Sequence, residues 1–123
     1  MLASSPVFAF VPTLDMDRAA AFYGQTLGLD VLEQTPYAVV LDAAGTTVRI
    51  TLVQELTVQP FTILGWLVED LDAVVTALLT AGVEPLRYEG MDQDERGVWT
   101  APGGARIVWF HDPDGNTLSL TAA

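Results

Sequence analysis

The 123-residue chain has no cysteine and a single histidine, His111. Without thiols it can form neither disulfides nor thiolate metal sites, and a cytoplasmic setting is the default expectation. Basic residues are also scarce. Five Lys and Arg face 16 Asp and Glu, for a formal net charge of −11 and an isoelectric point near 4.1. Such a chain repels a phosphate backbone, so nucleic acid is not an expected partner. The acid reads either as a solubilising surface or as attraction for a cationic ligand. No apolar run approaches the roughly 18 to 20 residues that a membrane span requires, and the opening MLASSPVF lacks the basic, apolar and small-residue order of a signal peptide. No membrane partner is expected. Linkers, low-complexity tracts and long charge runs are missing too, and the length suits one domain burying roughly two thirds of its unfolded surface.

What is present is a repeat. LDMDRAA at 14–20 matches EDLDAVV at 69–75, and each opens a segment of helical periodicity. Asp15 and Asp70 are the predicted N-caps, since a short carboxylate accepts from first-turn amides and suits the helix dipole. Ala19, Phe22 and Tyr23 carry the apolar face of the first helix, and Val74, Leu78 and Leu79 that of the second. Gly28 and Gly82 are the predicted stops. Strands are expected around 7–11, 29–34, 37–41 and 47–53, then 62–68, 84–88, 106–110 and 117–121. LDAAGTTV and HDPDGNTL each set a glycine, Gly45 or Gly115, between two such runs as a positive-φ turn residue. The chain therefore reads as an α+β fold of two βαβββ modules within one domain, 1–123, the first module at about 7–58 and the second at about 61–121.

The paired modules, the helix pattern DxDRAxxFYxxxLGL from Asp15 to Leu29 and the closing DPDGNxLxL from Asp112 to Leu120 resemble the vicinal oxygen chelate superfamily. That group includes glyoxalase I, extradiol dioxygenases, fosfomycin-modifying enzymes and bleomycin-resistance binding proteins. The resemblance runs from about Val7 to Thr121. It implies a curved, cup-shaped mixed sheet with the helices outside and the ligand in the cup. In metal-using members, His, Glu or Gln side chains stand at equivalent points on the first and last strands of both modules. Seven residues before Asp15 and Asp70 lie Phe8 and Ile63, and aligning Gly45 with Gly115 puts Arg49 and Ser119 at the carboxylate positions. Two hydrocarbons, a cation and a hydroxyl make a poor cage for a divalent ion, so neither a metal nor another cofactor is expected. A shift of register would bring Thr51 or Gln54 into the first module's set.

A cup without a metal must still be lined. Phe8 and Phe10 share one face of their strand by the period-two rule. Tyr37, Trp66, Trp99 and Trp109 join Phe8, Phe10, Arg49, Ile63 and Ser119 as candidate lining residues, each aromatic serving as core or as a stacking surface. Arg49 is expected in solvent, paired inside the sheet, or facing the cup to bind a carboxylate. The loop GMDQDERG at 90–97 is a solvated connection or a rim able to close over a ligand. The leading reading is a metal-free small-molecule binding protein of the bleomycin-resistance type, sequestering an antibiotic or related metabolite, and expected to be a homodimer. The alternatives are a lyase, isomerase or dioxygenase that uses a divalent metal or acid–base groups such as Arg49, Tyr37 or His111, and a structural dimer without a ligand. No nucleophile–base constellation stands out in support of an enzyme.

Overall fold

Asp15 and Asp70 cap the two helices as expected. The Asp15 side chain accepts from Arg18 N at 3.1 Å, and that of Asp70 from Ala73 N at 3.1 Å. Each satisfies an amide that has no partner within the helix, an interaction typically worth about 1 kcal/mol. The computed structural model describes every residue, Met1–Ala123. The chain divides into two compact units, Met1–Thr57 and Val58–Ala123.

In the first unit, strand β1 (Phe8–Thr13) leads into helix α1 (Met16–Ala20), which widens into a π-helical stretch at Ala21–Thr26. There Leu27 N donates to Phe22 O at 2.8 Å. Gly28, at φ +76°, ends the segment. Periodicity alone predicts one plain helix, because a single widened turn barely shifts the apolar spacing. Strands β2 (Asp30–Gln34), β3 (Ala38–Ala43) and β4 (Thr46–Leu52) follow. The sheet order is β1-β4-β3-β2, with β1 parallel to β4 and the remaining pairs antiparallel. Val11, Val39, Leu41, Val48 and Ile50 form a buried layer on the face that meets Ala19, Phe22 and Tyr23, which are buried as well. Burial of each large apolar side chain contributes about 1.5–3 kcal/mol.

The second unit repeats this order. Strand β5 (Thr62–Leu67) precedes helix α2 (Leu71–Thr80), then come β6 (Trp99–Thr100), β7 (Arg106–His111) and β8 (Thr117–Ala122), in the order β5-β8-β7-β6. Val108, Phe110, Leu118 and Leu120 are buried with Leu71, Val75 and Leu78 of α2. The sequence puts Val74 and Leu79 on that face. In the structure Leu79 is exposed and Val74 only half-buried, because the helix is rotated to set Leu71, Val75 and Leu78 against the sheet. Gly82 closes α2 at φ +83°, with Val83 N donating to Leu78 O at 2.9 Å. Neither helix is long and apolar enough to cross a membrane.

The expected strand at 84–88 does not form, and the two-residue β6 takes the edge of the sheet. Pro85 has no N–H to give to a ladder. Leu86 N makes a single contact with Trp109 O at 2.8 Å. The Gln93 side chain then takes over: its amide nitrogen donates to Leu86 O and Gly97 O, both at 2.8 Å, and its oxygen accepts from Tyr88 N at 2.7 Å. One amide thus occupies backbone groups that a strand partner would otherwise have used.

The two predicted glycine turns differ in construction. Between β3 and β4 lies a two-residue turn, Ala44–Gly45, with φ of 49° and 90°. Both values are positive, as a type I′ hairpin requires, and Gly45 N donates to Asp42 Oδ1 at 3.1 Å. Between β7 and β8 the buried Asp112 carboxylate organises the DPDGN turn. Asp112 Oδ1 accepts from Asp114 N at 3.0 Å and Asn116 N at 2.9 Å, and Oδ2 accepts from Asn116 Nδ2 at 2.9 Å. Gly115 sits at φ +91°.

Two substitutions test these turns by thermal melting. Ala44→Asn should raise the melting temperature, because asparagine tolerates the left-handed conformation that costs alanine about 1 kcal/mol. Gly115→Val should lower stability by about 2 kcal/mol, since a β-branched residue at positive φ is strained whatever space surrounds it. An unchanged melting temperature in either variant would contradict the turn geometry.

Candidate functional site

Strand register sorts the candidate residues by face. In the first unit Ala9, Val11 and Thr13 alternate with Phe8, Phe10 and Pro12 along β1, and only the former set points toward the helix-packed layer. Phe8 lies beside Thr47, and Phe10 beside Arg49. Arg49 in turn lies beside Val40 on β3. Phe8, Phe10, Val40 and Arg49 therefore share the face turned away from the helix. The two phenyl rings sit with centroids 4.7 Å apart at 44°, and 49% and 61% of their surfaces remain exposed. Arg49 is half-buried in the centre of the sheet. Two residues along on the same face, Thr51 Oγ1 is buried without a hydrogen-bond partner.

In the second unit Ser119 lies between Gly65 on β5 and Trp109 on β7. Gly65 and Ser119 thus match Phe10 and Arg49, five residues before the capping Asp and four after the turn glycine respectively. Ser119 is only 8% exposed. A Cβ built on Gly65 would stand 2.9 Å from Ser119 Oγ and 3.3 Å from Ser119 O, so a larger residue here would force the serine side chain and its backbone to shift. Trp99 pairs with Ile107 beside Trp109, and the two indoles lie 6.2 Å apart at 38°. Tyr88 meets Trp109 edge-on at 5.4 Å and 89°. Burial raises the Tyr88 pKa above its ordinary value, which keeps the phenol protonated as a donor.

Three candidates stand elsewhere than the sequence suggests. Trp66 is beside Leu120, on the face that packs toward the helix and away from Ser119. Tyr37 precedes Ala38, itself paired with Thr51, so strand alternation turns Tyr37 from the Arg49 face, and it is 72% exposed in the connection between β2 and β3. Ile63 falls at an irregularity, because Thr62 pairs with Thr117 and Leu64 with Leu118, leaving Ile63 between them without a partner. Counting seven residues back from the caps therefore lands on a paired strand residue in one unit and on a bulge in the other.

His111, set apart from the aligned positions by its place before the turn, lies beside Thr117. With Tyr88, Leu86, Val58, Pro60 and Thr117 it lines a groove of about 430 Å³, within the size range of small-molecule sites. Tyr88 is the participant that sequence reading missed, since placing 84–88 in a regular strand hid its contact with Trp109. Pro85 was the available warning, and nothing local announces the role of Gln93.

The 90–97 loop is anchored to its own unit. Arg87 Nη1 donates to Asp94 O at 2.5 Å and Nη2 to Glu95 O at 2.6 Å, while Arg96 Nη2 donates to Thr76 Oγ1 at 2.6 Å. Asp72 pairs with Arg106 through two contacts of 2.8 and 3.1 Å. These hydrogen bonds hold the Asp72 carboxyl below its ordinary pKa and push that of Arg106 up.

The donor chemistry at the four strand positions does not suit a metal. Phe8 and Ile63 have no lone pairs to give, Arg49 is a cation and Ser119 a neutral hydroxyl. No three His, Cys, Asp or Glu side chains gather into a group able to hold a metal ion. What the two faces offer is aromatic surface, a guanidinium with carboxylates farther along its face, a single imidazole and a few hydroxyls.

Solved structures share this fold. A glyoxalase/bleomycin resistance protein/dioxygenase superfamily member from Sphaerobacter thermophilus superposes with a TM-score of 0.75 at 22% identity, covering 100% of both chains. Lactoylglutathione lyase from Agrobacterium tumefaciens gives 0.74 at 16% identity, over 98% of this chain and 94% of its own. A glyoxalase/bleomycin resistance protein/dioxygenase from Alicyclobacillus acidocaldarius gives 0.69 at 20% identity, over 97% of this chain and 91% of its own. No curated protein matches the sequence. The family model for this group matches residues 6–120, and the chain belongs to the Glyoxalase/Bleomycin resistance protein/Dioxygenase superfamily.

Proposed function

We propose that the protein binds a small, largely apolar or aromatic molecule without a resident metal, in the manner of a sequestering protein for an antibiotic or related metabolite. The observation that carries this reading is the side-chain set on the helix-free faces. Phe8, Phe10 and Arg49 occupy one face, and Trp99, Trp109 and Ser119 the other, where metal-using members place ligating carboxylates and imidazoles. Aromatic surface of this kind binds by burial and stacking and needs no reacting group. A second reading, acid–base catalysis as a lyase or isomerase, has the support of one feature: His111 and the protonated Tyr88 line the same groove.

Elemental analysis of protein purified without chelators, together with thermal-shift measurements in Zn²⁺, Ni²⁺, Mn²⁺ and Fe²⁺, tests the metal-free reading. The expected result is far less than one ion per chain and no specific stabilisation. One tightly held ion per chain would overturn it.

A homodimer is part of the same proposal. Leu32, Phe61 and Leu67 expose 62%, 59% and 77% of their surfaces, and a second copy would remove such apolar area from water. Sedimentation at micromolar concentration should give twice the 13.2 kDa chain mass, and a monomer would count against the assignment.

A further inference from the structure

We propose that the ligand is an aromatic or apolar molecule bearing a carboxylate, and that Arg49 receives that group between the Phe8–Phe10 pair and Val40. This rests on the binding reading above and names its ligand class. All five basic residues are arginines. Arg87 and Arg96 hold loop and helix oxygens, and Arg106 holds Asp72. The Arg49 side chain makes no hydrogen bond or ion pair, although it stands half-buried on an interior strand of its sheet. Three carboxylates share its face. Asp42 lies one diagonal step away and accepts from Gly45 N at 3.1 Å, while Asp30 lies beside Asp42 and Glu33 across Val40, both on β2. None pairs with the guanidinium.

A half-buried guanidinium with no anion beside it is open to pair with one that a ligand supplies. Its planar fork matches a carboxylate, and the adjacent rings present apolar surface to the remainder of such a molecule. The overall charge of −11 argues instead for a cationic ligand. Charges farther away than about 8–10 Å are largely screened at physiological ionic strength, so the contact at Arg49 decides the preference.

Calorimetric titration of the full chain with three probes of one shape separates these outcomes: 2-naphthoate, the neutral 2-naphthamide and the cationic 2-naphthylmethylamine. Naphthoate should bind about tenfold or more tighter than the amide, the scale of a charge-assisted hydrogen bond. Arg49→Met should erase that difference and Arg49→Lys should keep part of it. Phe10→Leu should weaken naphthoate and naphthamide alike. The melting temperature of Arg49→Met should barely change, since no intramolecular hydrogen bond or ion pair is lost and methionine keeps the apolar stem beside Phe10 and Val40. Equal binding of acid and amide, preference for the amine, or no binding of any probe would overturn the carboxylate assignment while leaving the metal-free reading to elemental analysis. A large thermal loss in Arg49→Met would also overturn it, by showing that the protein itself holds the guanidinium.

Discussion

The parallel pairing of the first and last strand in each unit is the constraint on which the rest depends. A parallel neighbour cannot be reached by a tight hairpin, so each chain segment must cross over through a helix before returning. In both units it then comes back through two antiparallel strands and ends beside its own beginning. The last strand therefore acquires partners on both sides. β4 and β8 are central, and whatever their outward residues carry is held from left and right by a neighbouring strand. Arg49 and Ser119 occupy those positions, which is why one is a half-buried cation and the other a nearly buried hydroxyl.

Much of the architecture was legible because it is written locally. A short carboxylate before a helical run, a glycine after it and a glycine between two β-rich runs act through the nearest few residues, and all of them recur at the expected places. The two-unit fold followed from their repetition. The rotation of α2 about its axis was not legible, because Val74 and Val75 are equally apolar and only packing against Leu118 and Leu120 chooses between them. Nor was the fate of 84–88, which turns on a glutamine from farther along the chain. The site divides in the same manner. The shared face of Phe8 and Phe10 follows from strand alternation, whereas the bulge at Ile63 and the opposite facing of Trp66 depend on pairing with a distant strand.

Charge is distributed with a similar economy. The three arginines of the second unit act as local clasps, closing carbonyls, a hydroxyl and a carboxylate around the segment that joins α2 to β6. A stretch crowded with acidic residues is thereby tied to its own unit. Surface pairs of this kind add little stability singly. Their collective effect is to limit the conformations of a long connection, whose ordering would otherwise oppose folding through lost backbone entropy.

The close approach at Gly65 has a consequence for how the two halves can diverge. Because a β-carbon there would press on both the hydroxyl and the backbone of Ser119, positions 65 and 119 cannot drift independently. A bulkier residue at 65 requires the Ser119 side chain to turn away and the neighbouring backbone to give by a few tenths of an ångström. In the first half the corresponding pair is Phe10 and Arg49, two large side chains laid next to each other. The duplicated positions have thus settled on opposite solutions, one crowded with side chains and one stripped of them. Exchanging one solution for the other calls for coordinated change at both members of the pair, the residue on the first strand and its neighbour on the last.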